Sequence, residues 1–185
     1  MLLTMKINYD ETIELPQGVA VTADHGNIKV KGPKGESARR LVSPGVSITV
    51  EGQKLMLNAK KATKREKKML YTFMAHLKNM VRGVQQPWVY QLKLCSGHFP
   101  MTITMSGAKF SLKNFLGEKI PRECTIPQGV DVKVAGQEIT VTSIDRELAG
   151  QTAGRLELLT FKANKDQRTF QDGIYITEKP AKELT

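Results

Sequence analysis

The sequence predicts an α+β protein: a tandem duplication of a small, mostly antiparallel sheet with one helix packed on a face. Three observations predict it. Short segments alternate apolar and polar residues, as strands with one buried face do. One stretch instead steps by three and four, the spacing of an amphipathic helix. The strand–turn motif of the first half also returns: Leu15-Pro16-Gln17-Gly18-Val19 reappears as Ile126-Pro127-Gln128-Gly129-Val130, 111 residues on. With that offset held, Val21 falls on Val132, Ile28 on Ile139, Val30 on Val141 and Glu36 on Glu147. Two copies are too few for a solenoid, so a duplicated domain is the economical reading.

The first strands are read from Met5-Ile7-Tyr9, Val19-Val21-Ala23, Ile28-Val30, Val46-Ile48-Val50 and Leu55-Leu57. Turn residues separate them, at Pro16-Gln17-Gly18, Asp24-His25-Gly26-Asn27, Gly32-Pro33-Lys34-Gly35, Pro44-Gly45 and Glu51-Gly52. From Ala62 the apolar positions become Met69, Leu70, Phe73, Met74, Leu77, Met80 and Val81. Thr63 followed by Glu66 reads as a capping box, and Gly83 suits the left-handed residue that ends a helix. Strands resume after Gln85-Gln86-Pro87, with Val89 to Leu94, Met101-Ile103-Met105, Phe110-Leu112, Val130-Val132-Val134 and Ile139-Val141. Asp145 caps a second expected helix through Leu148, Ala149, Thr152, Leu156 and Leu159. The tail from Lys162 is polar except for Phe170 to Ile176. The two domains are expected over residues 1–85 and 86–185, with the boundary near 83–87.

The net charge is +10 in 185 residues, which points to a polyanionic partner. The excess is local: residues 54–82 hold nine cations and one acid. Lys60, Lys61, Lys64, Arg65, Lys67 and Lys68 crowd a helix start, where the helix dipole disfavours positive charge. They call for an external anion; the alternative is a solvated face. The second half has sparser cations beside aromatics and glycines: His98-Phe99, Lys109-Phe110, Lys113-Asn114-Phe115-Leu116-Gly117 and Arg168-Thr169-Phe170. Such loop tips let a backbone approach RNA and stack on unpaired bases. Each ring taken alone is favoured as core.

Catalytic chemistry has little to work with. Cys95 and Cys124 exclude a disulfide framework and suit a reducing compartment. Cys95 and His98 have ligand spacing, but no second pair completes a zinc set. Gly32-Pro33-Lys34-Gly35 lacks P-loop spacing and reads as a turn. His25 lies in a turn and is expected to be solvated; for His76, phosphate contact and partial burial stay open. No cofactor, metal site, secretory signal or membrane span is expected.

The duplicated Pro-Gln-Gly-Val motif resembles the universal large-subunit ribosomal protein L-six family, numbered nine in its eukaryotic members. Val30-Lys31-Gly32-Pro33-Lys34-Gly35-Glu36 resembles its first-domain loop. His98-Phe99-Pro100 and Asn114-Phe115-Leu116-Gly117-Glu118-Lys119 resemble its archaeal and eukaryotic branch. Asn164 to Lys179 is similar to that branch's C-terminal signature nearly position for position. Two stretches depart: Leu156 to Phe161 replaces a more polar helix end, and Gln85-Gln86-Pro87-Trp88 replaces a Gly-aromatic entry.

The resemblance implies a cytoplasmic structural constituent of the large ribosomal subunit, not an enzyme. It implies binding to large-subunit rRNA near the sarcin–ricin loop and stalk base. Neighbouring stalk-base ribosomal proteins, and translational GTPases docking nearby, are the other implied partners. The expected RNA contacts are Lys60, Lys61, Lys64, Arg65, Lys67 and Lys68 in the first domain. In the second they are His98, Lys109, Lys113, Asn114, Lys119, Lys165 and Arg168, and these are expected to be the closer ones. Two alternatives are a free-standing RNA-binding assembly factor and a small hydrolase using Cys95 and His98.

Overall fold

Alternating segments become strands, and Pro- and Gly-bearing segments become the turns between them. The computed structural model describes residues 7–97, 99–166 and 168–181. The chain divides into two units, Met1–Pro87 and Trp88–Thr185. Among the described residues every strand pairing is antiparallel.

The first unit contains β1 (Ile7–Glu14), β2 (Ala20–Asp24), β3 (Asn27–Gly32), β4 (Gly35–Arg40), β5 (Ser47–Glu51), β6 (Lys54–Ala62) and α1 (Lys64–Gln85). Its strands form two sheets, ordered β1-β6-β5 and β2-β3-β4. Helix α1 packs across β6 and β3. Its stripe of Leu70, Phe73, Leu77 and Val81 is buried, as are Ile28 and Val30 of β3 and Leu55 and Leu57 of β6. Met74, at the edge of the stripe, is only half-buried.

Helix α1 starts where the sequence says. The Thr63 N–H donates to Glu66 Oε2 at 2.8 Å, and the Arg65 N–H donates to Thr63 Oγ1 at 3.3 Å. It ends two residues later than Gly83 suggested. Gly83 stays helical and buried, and Gln86 is the cap, its N–H donating to the Arg82 carbonyl at 2.8 Å. Tertiary contact overrides the glycine. The Lys34 N–H donates to the Val84 carbonyl at 3.0 Å, and a Cβ on Gly32 would lie 2.7 Å from Val84 Cγ2. Gln86 then precedes Pro87, a position that disfavours helical backbone.

The second unit contains β7 (Trp88–Cys95), β8 (Thr102–Ser106), β9 (Lys109–Lys113), a 3-10 turn (Phe115–Gly117), β10 (Arg122–Thr125), β11 (Val130–Ala135), β12 (Glu138–Ser143), α2 (Arg146–Leu159) and β13 (Gly173–Glu178). The sheet orders are β11-β12-β7-β13 and β10-β9-β8. The core joins Leu92, Phe110, Leu112, Ile139, Leu156 and Ile174. Asp145 caps α2, its Oδ1 accepting from the Glu147 N–H at 2.8 Å. Sequence alternation does not disclose β4 or β10, while β13 overlaps the apolar stretch Phe170 to Ile176.

The duplication is present in the topology, but with a different equivalence from the Pro-Gln-Gly-Val repeat. Sheet β1-β6-β5 answers to β7-β12-β11, β2-β3-β4 to β8-β9-β10, and α1 to α2. Strands β2 and β8 begin 82 residues apart, as do the caps Thr63 and Asp145. Hydrogen bonds recur with it. Leu41 donates to the Gly26 carbonyl and Ile126 to the Ala108 carbonyl, both at 2.7 Å. Leu15 donates to Gln53 at 2.8 Å and Leu94 to Gln137 at 2.7 Å. The true counterpart of Gly129 (φ 86°) is therefore Gly45 (φ 90°), and that of Gly136 (φ 63°) is Gly52 (φ 59°). Gly18 (φ 84°) makes the same kind of turn at a non-equivalent place. The offset of 111 matches β2-β3 to β11-β12 in pairing register, yet Glu36 lies in β4 and Glu147 in α2.

Candidate nucleic-acid interface

The six clustered cations of the first unit sit where β6 turns into α1. Lys60 and Lys61 lie on the irregularity between the Ile7–Ala62 and Tyr9–Ala59 pairs. Lys61 is left-handed (φ 50°), and its N–H donates to Asn8 Oδ1 at 2.8 Å. Lys64, Arg65 and Lys68 are exposed on the first turns of α1. The Thr63 hydroxyl and N–H hold the Glu66 carboxyl below the usual carboxylate range, so it stays charged beside them.

Lys67 is partly diverted. Its Nζ lies 5.0 Å from the Tyr9 ring centroid and 5.9 Å from that of Tyr71. The Tyr71 hydroxyl donates to Glu11 Oε1 at 2.9 Å, which raises its pKa above the ordinary phenol value. Cation–π contact with Tyr9 thus orients Lys67 toward β1. His25 is solvated, its Nε2 3.7 Å from Asp24 Oδ1.

In the second unit three loops converge. Asn114 takes a left-handed conformation (φ 61°), and its Nδ2 donates to the Pro100 carbonyl at 3.0 Å. Leu116 (φ 49°) and Gly117 (φ 79°) follow in the same region of backbone space. For leucine this stores strain of order 1–3 kcal/mol, a cost that clusters at binding sites. Gly117 lies against the Phe99 ring. Asp172 Oδ1 accepts from the Gly97 N–H. Arg122 Nη2 and Nε grip Glu118 at 2.7 and 2.8 Å, which lowers the Glu118 pKa; Lys165 lies close enough to add to the effect.

The described residues of 96–101, 113–122 and 160–173 are therefore joined in one loop cluster. It presents Lys113, Lys119, Lys165 and Arg168, all exposed, with Asn114 among them. Lys165 Nζ lies 4.7 Å from the Phe170 ring centroid. Arg168 pairs with Asp166 at 2.8 Å, which raises the arginine pKa and lowers that of the carboxyl. Its side chain is nevertheless 91% exposed, so the guanidinium is oriented without being buried.

Lys109 stands apart. It starts β9, about 13 Å from Lys113 at ~3.3 Å per residue, and pairs with Glu123 at 2.7 Å. His98 lies outside the described residues. Phe110 and Phe115 are core, whereas Phe99 and Phe170 are about 40% exposed. Sequence reasoning did not single out Arg122 or Lys162. Lys162 binds main-chain carbonyls, as does Arg122 Nη1, and no residue pattern records those partners.

Cys95 and Cys124 are free thiols. Among the described residues no three His, Cys, Asp or Glu side chains gather as metal ligands, and no helix is long and apolar enough to cross a membrane. What the surface offers is fixed positive charge, exposed rings and ordered loops.

Comparison with known proteins agrees with this chemistry. The family described as Ribosomal protein L6 matches residues 15–87 and 99–173. The large ribosomal subunit protein uL6 of Haloarcula marismortui is 39% identical over 168 residues, 91% of this chain and 94% of that protein. That of Methanococcus vannielii is 38% identical over 174 residues, 94% and 96% of the two chains. That of Methanospirillum hungatei is 39% identical over 170 residues, 92% and 97% of the two.

Proposed function

The chain belongs to the ribosomal protein L6 family, and from that premise we propose where it acts in the large ribosomal subunit and with which surface. It is a structural constituent of that subunit, not an enzyme. Its second unit binds large-subunit rRNA beside the sarcin–ricin loop, near the stalk base. There it abuts neighbouring ribosomal proteins and helps shape the surface on which translational GTPases dock.

The observation that carries the reading is the convergence of the three loops in the second unit. These loops, joined by the Asn114–Pro100 and Gly97–Asp172 hydrogen bonds, carry Lys113, Asn114, Lys119, Lys165 and Arg168 with the exposed Phe99 and Phe170 rings. Phosphate contacts position a protein on RNA, and rings and close backbone approach recognise unpaired bases. The Lys60–Lys68 cluster has charge, and the rings beside it, Tyr9 and Tyr71, engage Lys67. Its role is sequence-independent phosphate attraction. Lys67, turned toward Tyr9, contributes least; Lys109, paired with Glu123, contributes a peripheral contact.

Two measurements test this. Large subunits washed at rising salt should retain the chain, as a resident component does; release with loosely bound factors would favour an assembly role. Footprinting of subunits with and without the protein should show protection at the sarcin–ricin stem. Protection confined to other regions would overturn the proposed location.

A further inference from the structure

Lys162 is a lysine only 7% exposed, set just beyond α2. A buried ammonium is prohibitive unless its protons are satisfied, and it has three donors and no acceptor. Its Nζ donates to the Phe170 and Asp172 carbonyls, with the Tyr175 hydroxyl 3.5 Å away. Those partners lie at the far side of the loop that carries Lys165 and Arg168. The amine thus closes that loop across its base.

Other bonds extend the closure. Asp172 is itself buried, and its carboxylate holds the Gly97 N–H of the neighbouring loop. The Ile174 N–H donates to Thr160 Oγ1 at 2.9 Å, and that hydroxyl donates to the Glu157 carbonyl at 3.0 Å. Arg122 Nη1 donates to the Leu159 and Phe161 carbonyls at 2.8 and 3.2 Å while its other nitrogens hold Glu118. Lys162 thus closes its own loop, Asp172 joins that loop to the one carrying Gly97, and Arg122 joins it to the one carrying Glu118.

We infer that Lys162 is a positioning residue for RNA recognition: from beneath, it fixes the loops that carry Lys165, Arg168 and Gly97, and so sets discrimination among RNAs. This rests on the reading that the second unit makes the specific contacts. A loop that must be ordered on binding loses affinity to that ordering. A loop already fixed rewards only the RNA whose phosphates and bases match it. Lysine suits the place because its donors radiate from one atom toward three oxygens. The planar guanidinium of arginine is a different shape.

The test uses the full-length chain, an RNA fragment carrying the sarcin–ricin stem-loop and an unrelated hairpin of equal length. Lys162→Met keeps the stem and removes the donors. We expect about tenfold weaker binding to the sarcin–ricin fragment, a ratio set by lost preorganisation, with little change on the hairpin. Amide exchange should quicken at Gly97, whose N–H is held by Asp172. Thr160→Val, which removes the hydroxyl's bonds to the Ile174 N–H and the Glu157 carbonyl, should show the same selective loss to a smaller degree and serves if Lys162→Met does not fold. Lys165→Gln with Arg168→Gln is the control for the underlying reading. If wild type prefers the sarcin–ricin fragment and the control loses that preference, but folded Lys162→Met and Thr160→Val keep it, the positioning role is wrong. If wild type itself shows no preference, the reading fails and the inference with it. Equal losses on both RNAs would mark Lys162 as merely structural.

Discussion

The two units share a plan and differ in what is added to it. Each has a pair of small antiparallel sheets in the same order and one helix after the last hairpin. In the first, the helix is long, at 22 residues, and its start is crowded with cations. In the second, the helix has 14 residues, a further strand β13 joins the sheet beside β7, and three loops are tied together by buried polar groups. The scaffold supplies stability in both. What is laid on it differs: clustered charge on one copy, ordered loops on the other.

The largest expected effects fall on what the copies share. Leu77→Ala in α1 and Leu156→Ala in α2 each remove a fully buried side chain. Each should cost about 2–5 kcal/mol in denaturant unfolding. An unchanged midpoint for either would remove that helix from the common core. Gly32→Ala sharpens the contrast, because its Cβ would meet Val84 at 2.7 Å. Overpacking of that kind costs roughly 1–3 kcal/mol. Gly18→Ala finds open space, and any loss there reflects backbone conformation alone.

Smaller effects separate the helix starts. Thr63→Ala and Asp145→Ala should each cost about 0.5–2 kcal/mol of stability. The first unit's cap is also pH-sensitive. The Glu66 pKa lies below its ordinary value because of the Thr63 hydroxyl and N–H. Its contribution is therefore present above the ordinary carboxylate pKa and is lost as pH falls through the lowered one. Unfolding of wild type and Glu66→Gln, followed on acidification, should converge. A gap that stayed constant down to the most acidic conditions would contradict the cap's ionised state.

The smallest effect is a slope. Replacing Lys64, Arg65 and Lys68 with Gln should flatten log K against log salt by roughly 0.7–0.9 for each phosphate no longer neutralised. Adding Lys67→Gln should change the slope less than any of the others, since Lys67 rests on Tyr9. A full additional unit of slope from Lys67 would show that it leaves the ring to meet phosphate.

Much of this was legible in the residues. The apolar steps of α1, its Thr63–Glu66 box and the Asp145 cap follow from short-range rules, and the structure has them. Strand β4, Gly35-Glu36-Ser37-Ala38-Arg39-Arg40, has no large apolar side chain to announce its alternation. Strand β10 has only Cys124. The repeat misled because turn chemistry recurs wherever a chain must enter a strand. Val19 donates to the Pro16 carbonyl and Val46 to the Ser43 carbonyl, both at 3.3 Å, with a left-handed glycine third in each turn. Pro-Gln-Gly-Val therefore reports a turn type, and only the pairing order reports ancestry of position. The converging loops were legible as cations beside glycines. Their linkage through Lys162 and through the Arg122 bonds to Leu159 and Phe161 was not, because a side chain that binds carbonyls leaves no spacing to read.

The division between the units is tested most directly by one binding comparison. Affinities for a fragment carrying the sarcin–ricin stem-loop and for an unrelated hairpin are measured for two variants of the full chain. Lys64→Gln with Arg65→Gln and Lys68→Gln should weaken both RNAs alike. Lys113→Gln with Arg168→Gln should weaken the sarcin–ricin fragment more than the hairpin. Equal losses on both RNAs from the second variant would contradict the assignment of specific contact to the second unit.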